Sequence, residues 1–222
     1  MTMSDEGARS ARLAVLVSGE GSNMRALAEA CADPAYGAQV VAVGADRACA
    51  GLDWAAGRGI PTFVEELPRE PDPERRGAVR AAWDARLAER VAAAEPDLVV
   101  CAGFLKLVGP AFLHRFGGRT INTHNALLPA FPGIHAPADA LAAGVKVTGA
   151  TVFVVDAGTD TGAIVAQVAV PVEDDDTADS LLDRIKSAER AQLVETVGRM
   201  IREGWAVRGR RVVVGAARGA QS

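Results

Sequence analysis

Asn122, His124 and Asp160 are the residues of this sequence whose types and spacing best suit the handling of a developing negative charge. Asn122 and His124 stand two apart in "INTHNALLPAFPG" (121–133), so at the end of a strand they point to the same side. An amide N–H placed there can donate to an oxygen that gains charge. An imidazole can move protons at neutral pH. Asp160 falls in "VDAGTDTG" (155–162), which carries a second carboxylate, Asp156, and two glycines. That is more than a hairpin needs, and a buried Asp160 beside His124 would hold the ring in one tautomer. Each feature also has a plainer account. The pair can merely satisfy backbone at a strand end, and Asp with Gly is ordinary turn chemistry. His114 reads as a surface residue, and His135 follows a Pro-Gly turn with no assigned role.

A second motif, "VSGEGSN" (17–23), joins an apolar run (13–17) to a stretch of helical spacing. Glycines at such a junction let the backbone approach a ligand closely. The amides of Gly21, Ser22 and Asn23 would then face an anion at the positive end of a helix. The segment lacks the Lys-Ser/Thr of a P-loop. It also lacks a full dinucleotide fingerprint, because Met24 stands where the third glycine belongs. A tight turn capped by Ser22 or Asn23 is the plainer account.

These residues need a scaffold, and the chain supplies a repeating one. Buried-type strands are expected at 13–17, 39–45, 61–66, 97–104 and 119–124, with helices between them, including an amphipathic one over 78–96 stopped by Pro96. Residues 71–76 read as a loop. Such alternation means an α/β fold with a mostly parallel central sheet and helices on both faces. After His124 the pattern changes to two long strands (148–156 and 163–172), a long helix (177–203) and a last hairpin-like strand (207–215). The expected organisation is a disordered tail over 1–11 and one domain over 12–205. Within that domain a nucleotide-binding half (12–120) precedes a catalytic half (121–205), and a C-terminal strand with a frayed end occupies 206–222.

Composition excludes several classes. The net charge of −4 over 222 residues, with no basic run, argues against a nucleic-acid or anionic membrane surface. No apolar run is long enough to span a bilayer. Cys31, Cys49 and Cys101 are too few and too irregular for a disulfide framework or a zinc site, and reduced, mostly buried thiols suit the cytoplasm. Small-molecule partners and either a monomer or a homodimer are expected.

Taken together and in order, "SGEGSNMRAL", "PDLVVCAGFLKLVGPAF", "INTHNALLPAFPG" and "DAGTDTGAI" resemble the folate-dependent phosphoribosylglycinamide formyltransferases, over about residues 11–200. The resemblance implies a Rossmann-like formyltransferase fold. It implies 10-formyltetrahydrofolate as co-substrate with no metal, and transfer of its formyl group to the amine of glycinamide ribonucleotide in purine biosynthesis. By the same resemblance Asn122, His124 and Asp160 form the catalytic trio. Gly21, Ser22, Asn23 and Glu189 would bind the ribonucleotide. Arg80, Leu105, Lys106, Leu107, Val108, Asn122 and Asp156 would hold the folate, with residues 156–160 folding over its pteridine.

The chain departs from the family pattern at four positions. Asn125 replaces the usual proline after the histidine, Phe153 a histidine, Ala163 a proline and Lys106 an arginine. Asn125 frees the backbone after His124, and Phe153 removes a polar group that could order water. The competing readings are a sister formyltransferase acting on another amine, a non-catalytic paralogue that binds folate or nucleotide, and a hydrolase releasing formate. A nicotinamide dehydrogenase is disfavoured by the incomplete glycine fingerprint.

Overall fold

Strand β1 (Ala11–Val17) shows why this chain makes a layered α/β structure. From Leu13 onward its residues are apolar on both faces. Leu13, Val15 and Val17 pack into one core with Met24, Leu27, Leu193 and Val197. Ala14 and Leu16 pack into another with Trp83, Leu87, Val91, Phe112 and Phe116. A strand buried on both sides needs helices on both sides. These are α1 (Ser22–Ala30) and α6 (Ala178–Glu203) on one face, and α3 (Pro73–Ala92) and α4 (Pro110–Phe116) on the other.

The computed structural model describes residues 9–215. Residues 1–8 and 216–222, where the sequence leads one to expect a tail and a frayed end, lie outside the described residues. The other strands are β2 (Ala38–Ala45), β3 (Thr62–Val64), β4 (Leu98–Cys101), β5 (Thr120–His124), β6 (Val147–Val154), β7 (Ile164–Pro171), β8 (Trp205–Arg208) and β9 (Arg211–Val214). Together the described residues form one nine-stranded sheet in the order β3-β2-β1-β4-β5-β6-β7-β9-β8. Strands β1 to β5 run parallel, and β6 turns antiparallel to β5. Two short helices, α2 (Ala50–Ala56) and α5 (Ala136–Ala142), complete the set.

The order reverses between β1 and β4. The chain leaves β1 toward β2 on one side, and leaves β4 toward β5 on the other. The loops leaving the two strands diverge and open a crevice at their carboxyl ends, the place where open α/β sheets bind ligands.

Several boundaries differ from expectation for identifiable reasons. The first strand opens at Ala11, whose amide donates to the Gly37 carbonyl at 2.9 Å, so position 11 belongs to the sheet and not to the tail. Helix α3 starts at Pro73, inside the stretch 71–76 expected to be a loop. Asp72 accepts the Glu74 amide at 3.0 Å and proline occupies the first helical position. Strand β4 ends at Cys101, earlier than 104, and the chain turns off the sheet there. The C-terminal segment is a β8-β9 hairpin joined to β7 through Ile164 and Arg211, so it extends the domain's own sheet beyond position 205.

Candidate functional site

The crevice is a cavity of about 580 Å³. Each of its walls is a segment leaving the carboxyl end of a strand, except for one contributed by α6.

The first wall is the turn after β1. Gly21 sits in the left-handed region (φ 70°) as the residue before α1. A Cβ there would also meet the Gly51 Cα at 3.1 Å, so the position calls for glycine on both counts. The turn is held from below, where the Gly51 amide donates to the Gly19 carbonyl at 3.0 Å. Ser22 and Asn23 begin the helix and line the cavity, at its positive end.

The second wall is the loop after β4. Ser18 Oγ accepts the Leu105 amide at 2.9 Å. Lys106 Nζ lies 3.6 Å from Oδ2 of Asp46, a carboxylate buried at the end of β2 that also pairs with Arg47 at 3.0 Å. Burial pushes the Asp46 carboxyl up, but hydrogen bonds from Ser18 and Arg47 and the charges of Arg47 and Lys106 outweigh it, leaving it below the ordinary value. Leu105 through Val108 line the cavity. Leu105 and Leu107 are exposed apolar side chains at its mouth. Arg80 does not line the cavity. It stands on α3 and donates to the Leu107 carbonyl at 2.6 Å, bracing the loop from outside.

The third wall is β5 and the segment after it. Asn122 and His124 share one face of the strand and both line the cavity. The partner strand β6 places Phe153 opposite Asn122 and Thr151 opposite His124. Thr151 is fully buried and donates to the Ala126 carbonyl at 2.6 Å, while its oxygen accepts the Leu128 amide at 3.0 Å. Gln167 reinforces both, donating to Thr151 Oγ1 and to the Leu128 carbonyl. This buried network fixes the chain immediately beyond the histidine.

His124 is itself held on two sides. Its Nε2 donates to the Phe131 carbonyl at 2.8 Å, which assigns the proton to that nitrogen. Its Nδ1 faces Oδ2 of Asp160 at 3.6 Å. Asp160 takes a left-handed backbone (φ 54°), a conformation that Asp tolerates better than most residues. It reaches the site because β6 and β7 close tightly behind it: a Cβ on Gly162 would lie 1.7 Å from the Val154 carbonyl oxygen. Asp156 also lines the cavity, but its Oδ1 accepts the Gly158 amide at 3.0 Å and the Thr161 hydroxyl at 2.7 Å, shaping its own loop.

The fourth wall is α6, which the Thr177–Ser180 capping box starts. Glu189 is buried and lines the cavity, and Lys186, three residues earlier on the same helix face, lines it too. Lys186 escaped the sequence reading. The spacing K-x-x-E on a helix already assigned was the signal that could have found it.

Nearby groups narrow the chemistry. Cys101 lines the cavity, yet burial pushes its thiol up to about 12, so it is not a nucleophile at neutral pH. Cys31 and Cys49 are half-buried free thiols, and desolvation pushes Cys31 up to about 11. Among the described residues no cluster of three or more His, Cys, Asp or Glu could hold a metal ion, and no helix is long and apolar enough to cross a membrane. His114 is exposed on α4, away from the site.

Residues 11–197 match the formyl transferase family. The chain belongs to it. This formyl transferase is 53% identical over 205 residues to a phosphoribosylglycinamide formyltransferase of Mycobacterium tuberculosis, covering 92% of each chain. It is 37% identical to part of the human trifunctional purine biosynthetic protein adenosine-3, covering 82% of this chain and 17% of that one. Among solved structures, glycinamide ribonucleotide transformylase 1 from Symbiobacterium toebii shares its fold with a TM-score of 0.85 at 37% identity, covering 94% and 95% of the two chains.

Three of the formyl transferase's departures from the family pattern lie in the cavity wall, Lys106 in the loop after β4 together with Phe153 and Asn125. Phe153 is buried against Asn122 and presents an apolar edge to the site. Asn125 donates from Nδ2 to Oε2 of Glu189 at 2.9 Å, joining the third wall to the fourth. Ala163 lies away from the cavity lining and donates no side-chain contact to it. Its carbonyl accepts the Val154 amide at 2.8 Å.

Proposed function

We propose that this chain transfers the formyl group of 10-formyltetrahydrofolate to the amine of glycinamide ribonucleotide. The observation that carries the reading is the gathering of Asn122, His124 and Asp160 in one cavity with the Gly21–Ser22–Asn23 turn, Lys186 and Glu189. The helix end and Lys186 suit the phosphate of the acceptor, and Glu189 its hydroxyl or amine groups. The exposed Leu105 and Leu107 suit the flat apolar parts of a folate, and the loop carrying Asp156 suits its pteridine. The high identity to the mycobacterial enzyme supports the same pair of substrates.

In this reading the acceptor amine attacks the formyl carbon, a C–N bond forms, and the carbonyl π electrons move onto oxygen. The Asn122 amide donates to that oxygen. Nε2–H of His124 is the second donor, for which the oxyanion competes with the Phe131 carbonyl. Asp160, on the far side of the ring, balances positive charge on it. Collapse of the intermediate breaks the bond to the folate nitrogen, which gains a proton as the amine loses one. No covalent intermediate with the protein is needed, in keeping with the inert Cys101 thiol. The test is to follow loss of 10-formyltetrahydrofolate by absorbance with and without glycinamide ribonucleotide. Turnover that depends on the amine is the expected result, and equal turnover without it would replace the transferase by a hydrolase.

A further inference from the structure

Glu189 is 4% exposed, and a buried carboxylate needs donors to offset the loss of water. Among the described residues it makes one hydrogen bond, with Oε2 accepting from Nδ2 of Asn125 at 2.9 Å, and Oε1 has no protein partner. Both side chains line the cavity. The donor comes from the residue directly after His124, across 64 positions of sequence. A proline or an apolar residue at 125 could not supply it.

We infer that Asn125 is a positioning residue for the acceptor, which holds Glu189 by one oxygen and leaves the other, Oε1, directed to a hydroxyl or N–H of the bound amine substrate. This rests on the proposed acceptor and adds to it a residue that the resemblance does not supply. A hydrogen bond to an ionised oxygen is stronger than a neutral one and more strictly directed. It restricts the Glu189 rotamer before the acceptor arrives, so less freedom is lost on binding. Asn125 also ties the end of the His124 strand to α6. Its own remaining N–H and its carbonyl stand at the cavity wall, where they favour a polar acceptor over an apolar amine. Among the described residues no hydrogen bond joins the loop 105–108, the proposed folate end of the cavity, to this pair.

The experiment is steady-state kinetics on the full chain, with glycinamide ribonucleotide and 10-formyltetrahydrofolate varied in turn. Asn125→Ala is expected to raise KM for the ribonucleotide about tenfold, with kcat within about twofold and KM for the folate unchanged. Glu189→Gln is expected to raise the same KM, and the double variant should be no worse than Glu189→Gln alone, since the two act as one unit. Asn125→Pro should match Asn125→Ala, and Asn125→Gln should recover part of the loss. If the parent turns over with the amine but Asn125→Ala leaves the ribonucleotide KM unchanged, the inference alone falls. Proportional loss of kcat and both KM values, or strictly additive effects in the double variant, would also overturn it, marking Asn125 as structural. A parent with no amine-dependent turnover would bring down the proposed function and the inference together.

Discussion

Oδ2 of Asp160 lies 3.6 Å from Nδ1 of His124 and accepts the Gly133 amide at 2.8 Å. One carboxylate oxygen thus ties together the histidine and the segment that supplies the Phe131 carbonyl on the other side of the ring. Asn is as tolerant of the left-handed backbone at 160 as Asp is, and its side-chain oxygen can still accept from Gly133. Asp160→Asn therefore removes the charge and little else. Turnover is expected to fall by about 10²-fold or more with the melting temperature nearly unchanged. Single-turnover formyl transfer measures it, and a variant within twofold of the parent would remove Asp160 from the mechanism. Asn122→Ala and His124→Ala are expected to lose about 10²–10³-fold each by the same assay.

Asp84 supports the cavity wall after β4 from a distance. It is buried on α3, and its two oxygens accept the amides of Gly109 at 2.5 Å and Phe112 at 3.1 Å, satisfying the first turn of α4. Asp84→Ala would leave both donors unpaired in the interior. The expected loss is about 2–4 kcal/mol of stability, with a fall in Tm of roughly 4–16 °C. Urea unfolding monitored by circular dichroism would check it. A change below about 0.5 kcal/mol would mean that water takes over the cap.

Much of the fold was legible because burial leaves a period. The apolar runs at β1, β2 and β4 and the 3.6-residue spacing of α3 each announce a surface that must be covered. The glycine turn was legible for a local reason, glycines between an apolar run and a helix start, and the structure puts Gly21 there at φ 70°. What stayed hidden are contacts between side chains far apart in sequence. Asn125 reads as a turn-former and Asp84 as one more polar residue on an amphipathic helix, yet each meets its partner only after the sheet has assembled. Arg80, which the resemblance gives to the folate, likewise meets its partner only in the fold, donating to the Leu107 carbonyl from outside the cavity lining.

Cys101 offers a chemical check on the packing around the site. It stands on β4 between β1 and β5, and its thiol, buried in the core with Trp83, Leu87 and Phe112, is pushed up to about 12 by desolvation alone. At pH 7.5 its thiolate fraction is far below that of a free cysteine. Native protein treated with iodoacetamide is expected to leave Cys101 unmodified over hours, and unfolding in guanidinium should expose it to full labelling. Peptide mass mapping reads both outcomes. Rapid labelling of Cys101 in the native state would mean that the sheet opens at the cavity floor.

Asp46 links the site to pH. Its folded-state pKa lies below the ordinary carboxylate value because Ser18, Arg47 and Lys106 together outweigh the cost of burial. A group with a depressed folded pKa binds its proton more readily when unfolded. Its stabilising contribution is therefore complete above the unfolded value, about 3.9, and is lost as pH falls through the folded value. Asp46→Asn should destabilise the chain at pH 7, and the gap between parent and variant should close as pH drops below about 4. Because Asp46 also holds Lys106 in the loop after β4, the same variant should raise KM for the folate and leave KM for the amine unchanged. Denaturant unfolding across pH 3–7 with paired kinetics decides it. A gap that stays constant with pH would show that the Asp46 carboxylate contributes through packing and not through its charge.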